Sequence, residues 1–230
     1  KKAIAIALSA LFIFGQTPIL PALSSEITGV TGNNGVYNIN PTALITGSDI
    51  GYRKYKDFVL DKNDIANLIF KYGATNVETF INLVDHQVKI NGIVNSMRDG
   101  NFYNGRAVFV SPEGVLVGAS GVINVGSFGA YTPTTAVYED YKNNPHADLT
   151  VLQASNNNGA VTINGKVIAT NDIDIHSGTI NVAGKMIAGT GNTQTVTTET
   201  SAQQLFDALV NTGDMNPAST ITGRNGQITL

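Results

Sequence analysis

The stretch RAVFVSPEGVLVGASGVINVGSFGAYTPT, Arg106–Thr134, decides how this chain is read. Three β-branched runs, Ala107–Val110, Val115–Val117 and Val122–Val125, alternate with Ser-Pro-Glu-Gly and Gly-Ala-Ser-Gly, so each run predicts a short strand closed by a tight turn. No helix of useful length fits between such turns. Strands this short cannot bury a face alone, and their regular spacing predicts that each is one side of a coil stacked on the next.

Working outward, an internal repeat points the same way. VTINGKVIA at Val161–Ala169 aligns with INVAGKMIA at Ile180–Ala188, 19 residues further on, with Gly165/Gly184, Lys166/Lys185 and Ala169/Ala188 identical. VKINGIV at Val88–Val94 shares its Ile-Asn-Gly, and NGQITL at Asn225–Leu230 echoes NGAVTI at Asn158–Ile163, which predicts a fresh coil near 225. A period of about twenty residues with Gly or Asn at the corners predicts a parallel β-helix, in which each turn supplies two or three short strands and inward side chains stack from coil to coil. Leucine-rich repeats have a similar period but need a ladder of Leu that is missing here.

Elsewhere, Tyr37–Leu44, Tyr52–Leu60, Thr79–Val84 and Gln87–Val94 read as strand-like runs, with Asp85-His86 a corner. Ile65–Phe70 fits a short helix capped by Asp61 or Asn63 as well as a buried strand. Two excursions are expected to decorate the coils. One is a short helix or loop over Thr134–Tyr141 that ends before Pro145. The other is the helix Ser201–Asn211, with Ala202, Leu205, Phe206 and Leu209 at i, i+3, i+4, i+7 and Gly213 beyond its end.

The 230 residues are 42% hydrophobic, enough for a sizeable core, while only 13% are charged, so Asn, Thr, Ser and Gly supply the polar surface. A net charge of −3 gives nothing to track phosphates, which argues against a nucleic-acid partner. Lys1-Lys2, the apolar run Ala3–Phe14 and the triplet Ala22-Leu23-Ser24 follow the order of a secretory signal, so residues 1–24 are expected to be a signal peptide and the mature chain to start near Ser25. The competing reading, a membrane span, needs roughly 20 apolar residues. An exported chain without cysteine is unusual. Either a second membrane crossing in the unfolded state excludes cross-links, or the core is large enough to need none.

Four segments carry a family resemblance: Asn82-Leu83-Val84, Ile90-Asn91-Gly92, Ser111-Pro112-Glu113-Gly114-Val115 and Ile123-Asn124-Val125-Gly126. Together with Tyr55–Phe70, Phe80–Gly92 and Ala107–Thr134, they make the chain resemble the N-terminal secretion domain of filamentous-haemagglutinin-type adhesins exported by two-partner secretion. The wording is most similar to large leukotoxin-like filamentous adhesins of anaerobic, diderm bacteria. Ser111 and Glu113 replace both Asn of the family's Asn-Pro-Asn-Gly, while Pro112 and Gly114 remain. Whether Ser111 and Glu113 touch the transporter or only hold a turn stays open.

The resemblance implies an all-β, right-handed parallel β-helix with extra-helical strands, loops and one or two short helices. Residues 25–150 would form the secretion-domain core and 151–230 continuing coils of a longer adhesin. The implied partner is an outer-membrane β-barrel transporter whose periplasmic domains bind the emerging polypeptide. The domain would then reach the cell surface or medium, while a host-cell or bacterial-surface receptor meets later repeats. Ser111, Pro112, Glu113, Gly114, Asn82, Asn91, Gly92 and Asn124 are the candidate motif residues.

Chemistry is sparse. Asp172, Asp174 and His176 alternate with Ile173 and Ile175, which would suit calcium, or an acid/base pair of a β-helical polysaccharide lyase or hydrolase. The same alternation describes any half-buried strand with a solvated outer face. Asp85-His86 and Ser96 have no triad spacing, Gly114 and Gly118 lack a phosphate-loop ending, and zinc-ligand spacing is missing, so no catalytic, cofactor or metal residue is assigned. A secreted polysaccharide-degrading enzyme remains the alternative. It calls for Asp or Glu with Arg or Lys on consecutive coils of one face, whereas the sequence offers carboxylates on one coil. A third option is a surface structural protein without a transporter.

Overall fold

The computed structural model describes residues 25–153, 159–189, 222–224 and 227–229. The chain enters through β1 (Glu26–Ile27), β2 (Val36–Ile39), β3 (Ala43–Leu44) and β4 (Ile50–Tyr55). A first full coil runs through β5 (Phe58–Leu60) and β6 (Ile65–Ile69), a small hairpin of β7 (Lys71–Tyr72) and β8 (Thr75–Asn76), and then β9 (Thr79–Val84). The second has β10 (Val88–Ile90), β11 (Ile93–Arg98), the short β12 (Asn101–Phe102) and β13 (Arg106–Val110). The third has β14 (Val115–Val117), β15 (Val122–Val125) and β16 (Ser127–Tyr131), followed by helix α1 (Thr135–Asn143) and a 3-10 turn at Thr150–Gln153. A fourth coil holds β17 (Ala160–Ile163), β18 (Lys166–Ala169) and β19 (Ile173–His176). Then come β20 (Thr179–Val182), β21 (Lys185–Ile187), β22 (Thr222–Arg224) and β23 (Gln227–Thr229).

Like strands of successive coils stack into three sheets, here called A, B and C. Sheet A is β1-β5-β10-β14-β17-β20 and sheet B is β2-β6-β11-β15-β18-β21. Sheet C runs from β3 and β4 through β9, β13, β16 and β19 to β23 and β22. Every coil-to-coil pairing is parallel, which makes the fold a parallel β-helix. The 19-residue repeat is one coil, since Val161 faces Ile180 and Lys166 faces Lys185 in register. Ile-Asn-Gly at 90–92 and 163–165 recurs two coils apart at the same corner, because Val88 pairs Val115 and Val115 pairs Val161.

Inward rows fill the interior. Val88, Ile90, Val115, Val117, Val161 and Ile163 from sheet A meet Phe80, Phe109, Phe128, Ile173 and Ile175 from sheet C, all buried. Each such side chain contributes about 1.5–3 kcal/mol of burial. Across the interior Phe58 of sheet A meets Phe109 of sheet C edge-on with ring centroids 5.2 Å apart, and Phe109 meets Phe128 of the next coil at a tilt with centroids 6.4 Å apart. Ile65–Phe70 resolves as strand β6. Ala66 and Leu68 point inward while Ile65 and Asn67 belong to the outer face, a period of two that a helix cannot supply.

Three expected runs are broken. Lys56-Asp57 divides Tyr52–Leu60 between sheets C and A, Asn91-Gly92 divides Gln87–Val94 between A and B, and Tyr37–Leu44 splits into β2 and β3. Lys56-Asp57 and Asn91-Gly92 form corners that strand propensity alone passes over, and Asn40-Pro41-Thr42 separates β2 from β3. The fresh coil expected near 225 is overturned: β23 runs antiparallel to β19 in sheet C, with Asp174 opposite Thr229 and His176 opposite Gln227. Its direction is set by its hairpin partner β22. The linking dipeptide Asn225-Gly226 is the sequence signal of a two-residue hairpin, which the echo mistook for a coil corner. Residues 1–24 and the helix expected at Ser201–Asn211 lie outside the described residues.

Of the two forms expected for the excursion after β16, a short helix or a loop, the structure has the helix, Thr135–Asn143, which ends before Pro145. Thr134 caps α1 by accepting from the Val137 N–H, and Tyr138 and Tyr141 bury against the outer face of sheet C. There they join Ile81, Leu83, Val108, Val110, Tyr131 and Leu152 in a second apolar layer. The Tyr138 hydroxyl donates to Asp85 Oδ1 at 2.8 Å, and Lys142 bonds the same oxygen, so the corner Asp85 fastens the helix to the solenoid.

Candidate functional site

The Ser-Pro-Glu-Gly segment forms the corner from sheet C to sheet A. Ser111 is fully buried; its Oγ donates to the His86 carbonyl of the preceding coil at 2.8 Å and accepts from the Glu113 N–H at 3.2 Å. Its own N–H donates forward to the Tyr131 carbonyl. Gly114 has φ +109°, and a Cβ there would lie 2.4 Å from the Ala160 carbonyl of the next coil. The turn therefore clips three successive coils together. Glu113 alone faces solvent, accepting from the Gln87 N–H at 3.2 Å. Beside it His86 Nδ1 lies 2.7 Å from Asp57 Oδ1, and this bond, helped by the charges of Asp57 and Glu113, raises the imidazole above its ordinary pKa.

Asn91 and Gly92 make the corner from A to B. A Cβ on Gly92 would meet the carbonyls of Asp64 and Asp61 at 2.2 and 2.5 Å, so only Gly lets the second coil sit against the first. The same contact recurs at Gly165 and Gly184, where a Cβ would come 2.1 and 1.9 Å from the Gly121 and Gly165 carbonyls. Ser120 closes over this corner by donating to the Asn91 carbonyl.

Asn82 lies in the interior. It accepts from the Tyr55 hydroxyl at 2.8 Å and donates to the Val108 carbonyl at 3.2 Å. Burial pushes the Tyr55 phenol far up, so it stays a donor. Asn124 ends an amide ladder on the outer face of sheet B, in which Asn67 donates to Asn38 at 3.0 Å, Asn95 to Asn67 at 3.2 Å and Asn124 to Asn95 at 3.2 Å. The eight motif residues thus occupy four separate places and build no common pocket. The ladder had a signal that sequence reading missed: Ile-Ala-Asn, Ile-Val-Asn and Val-Ile-Asn each open a strand of sheet B.

A different group of polar side chains does converge. On the outer face of sheet C, Asp174 Oδ2 accepts from the Tyr131 hydroxyl at 2.7 Å and from Arg106 Nη2 at 3.0 Å, and Arg106 also reaches the Tyr131 oxygen at 2.6 Å. His176 Nε2 comes within 2.8 Å of Asp174 Oδ1 but at an angle too poor for a hydrogen bond. The face is not the solvated one that alternation suggests, since the Asp174 and His176 side chains are 17% and 7% exposed. Burial alone would raise the Asp174 carboxyl, but His176, Tyr131 and Arg106 outweigh it and hold the group below the usual range. Asp172 stands apart, accepting from Ser127 at 2.8 Å. Three coils contribute Arg106, Tyr131 and Asp174, more than the sequence offered to an enzymatic reading.

In this cluster the carboxylate is held ionised and the phenol protonated, and Asp174, Tyr131 and Arg106 bond one another across three coils. Among the described residues, no group of three or more His, Asp or Glu could hold a metal ion. Comparison of the chain with models of protein families gives no match, and comparison with curated proteins gives none either.

Proposed function

We propose that this chain is the secretion domain of a filamentous-haemagglutinin-type adhesin, without enzymatic activity of its own. On this reading a signal at 1–24 takes it to the periplasm of a diderm bacterium. There the polypeptide-binding domains of an outer-membrane β-barrel transporter capture it, and outside the cell it folds and templates the coils behind it. Host or bacterial receptors are met by those later repeats.

The observation that carries the reading is the difference between the two ends of the solenoid. At the N-terminal end, sheets A and C finish on the two-residue antiparallel strands β1 and β3, which blunt the edge. At the other end sheet C again finishes on antiparallel strands, β23 and β22, but sheet A ends on β20 and sheet B on β21, strands whose outer edges no described strand pairs, and Val182, whose counterparts in earlier coils are fully buried, is 44% exposed. Such an edge supports addition of coils in one direction, each needing only its neighbour. The secreted polysaccharide lyase or hydrolase has one observation in its favour, the gathering of Arg106, Tyr131, Asp174 and His176, but Tyr131, Asp174 and His176 are largely buried, and Asp174 is bonded to Tyr131 and Arg106.

Secretion of the chain behind its own signal, in diderm cells with and without a candidate transporter, tests the proposal. Release only with the transporter, lost on substitution of Pro112 or Gly114, is expected. Release without any transporter, or polysaccharide cleavage that requires Asp174, would overturn it.

A further inference from the structure

The three outer faces of the solenoid differ in how they meet water. On sheet A the outward side chains keep contact with solvent: Val59, Leu116 and Thr162 are partly exposed, Lys89 and Asn181 exposed. On sheet C they are buried, because α1 and the Thr150–Gln153 turn lie over them. Sheet B is buried as well. Its outward row Ile65, Ile93 and Val122, its amide row Asn67, Asn95 and Asn124 with Ile168 and Ile187 continuing it, and Met97 beside them are all at most 5% exposed. Yet among the described residues every apolar side chain packed with this face belongs to sheet B itself. Strands about 4.8 Å apart shield one another's flanks and leave the tips of outward side chains to water, as sheet A shows. A second layer must therefore lie over sheet B.

Residues 190–221 have the exit, pattern, length and charge to supply it. The chain leaves sheet B at Ile187, on the last strand of the covered face, and is next described at Thr222 on the edge of sheet C. Between them the sequence predicts the helix Ser201–Asn211, whose Ala202, Leu205, Phe206 and Leu209 make one apolar stripe. Such a helix is about 16 Å long. The face from β6 to β21 is about 19 Å across, so a helix laid along the solenoid axis spans most of it. Charge chooses between the two long segments outside the described residues. Lys166 and Lys185 continue the row of Ile65, Ile93 and Val122. Residues 190–221 carry Glu199, Asp207 and Asp214 and no basic residue, whereas residues 1–24 carry Lys1 and Lys2 and no acidic one.

We propose that Ser201–Asn211 docks on the outer face of sheet B as an amphipathic helix, its Leu205, Phe206 and Leu209 over Ile65, Ile93, Val122 and Ile168. The amide ladder of Asn67, Asn95 and Asn124 then lies between two layers, and a segment that follows β21 completes the burial of coils far before it in the chain. The inference is independent of the export reading.

The chain has no cysteine, so introduced thiols report on this face alone. In the full chain, Val122→Cys should react with a thiol reagent at roughly a tenth or less of the rate of Leu116→Cys on sheet A. Adding Leu205→Asp with Phe206→Asp should bring it within about threefold of that control, while Val117→Cys, in the interior, stays protected and certifies the coils. Should the Asp variant fail to fold, cross-linking decides. Combined with Leu205→Cys or Leu209→Cys, Val122→Cys should oxidise to an intramolecular disulfide; combined with Gln203→Cys, on the opposite side of the helix, it should not. Equal reactivity of Val122→Cys and Leu116→Cys, protection unchanged by the Asp substitutions in intact coils, or no cross-link from either leucine position overturns the proposal.

Discussion

Replacing Gly92 with Ala tests whether the A-to-B corner is built by close approach. The new methyl would sit 2.2 Å from one backbone carbonyl oxygen and 2.5 Å from another, 0.8 and 0.5 Å inside the 3.0 Å that Cβ contacts otherwise respect. Neither oxygen can swing away, because both belong to the preceding corner, where the Asp61 carbonyl accepts from Asp64 and the Asp64 carbonyl from Ile93. The coils must separate, and the cost falls at the upper end of overpacking, about 3 kcal/mol. Gly100→Ala is the control: φ is +81° but nothing lies within 4 Å, so it carries only the left-handed penalty of roughly 1–2 kcal/mol. Both substitutions remove the same flexibility from the unfolded chain, which cancels in the comparison. Urea unfolding reads the difference. With a slope of about 2 kcal/mol per molar, Gly92→Ala should lower the midpoint by roughly 1.5 M and Gly100→Ala by roughly 0.5–1 M. Equal midpoints, or a milder Gly92→Ala, would refute steric closeness as the reason for Ile-Asn-Gly.

Asn95→Ala strands the Asn67 carbonyl and the Asn124 amide in a buried row and should cost about 2–4 kcal/mol by urea unfolding, against under about 1 kcal/mol for Asn38→Ala at the exposed end. Equal losses would mean that the ladder is not coupled. Tyr138→Phe removes one hydrogen bond to the Asp85 carboxylate, so a loss of about 1.5 kcal/mol and faster proteolysis between 132 and 159 are expected, with proteolysis at the parent rate as the contrary result. His86 should titrate above its ordinary value of about 6.5 by NMR, and Asp57→Asn should bring it down; a midpoint indifferent to Asp57 contradicts the pairing. Because the folded value is the raised one, the pair's stabilisation is complete below the unfolded pKa and disappears as pH climbs through the folded value.

Much of the solenoid could be read from the sequence because its period survives wherever a coil carries no insertion. From β17 through β21 no helix or extra strand intervenes, and there the 19-residue repeat maps onto strand register residue for residue. Earlier coils are interrupted by the β7–β8 hairpin, by β12 and by α1, and those insertions hide the period. Lys71–Asn76 could not be recognised as a hairpin, since strands of two residues have no periodicity to detect. Arg106, Tyr131 and Asp174 escaped for the same reason: they are neighbours in space but 25 and 43 residues apart along the chain, separations that no single repeat length relates.

The motif residues bear on recognition in an unexpected way. Ser111, Gly114, Asn82, Gly92 and Asn124 are buried, and each is held by backbone or amide contacts to another strand or coil. A transporter meeting the folded solenoid could touch Glu113 and part of Asn91, and little else of the set. If the whole set matters for export, it must act either before folding, when every residue is accessible, or through folding itself. The geometry favours folding for Gly92 and Gly114, where the requirement is the absence of a Cβ against a neighbouring carbonyl, a property with no meaning in an extended chain. Ser111 sits between the two cases: its hydroxyl can bond a transporter in the unfolded chain and the His86 carbonyl in the folded one. Substitutions at Gly92 and Gly114 therefore report on coil assembly, whereas changes at Ser111 and at the exposed Glu113 can report on capture.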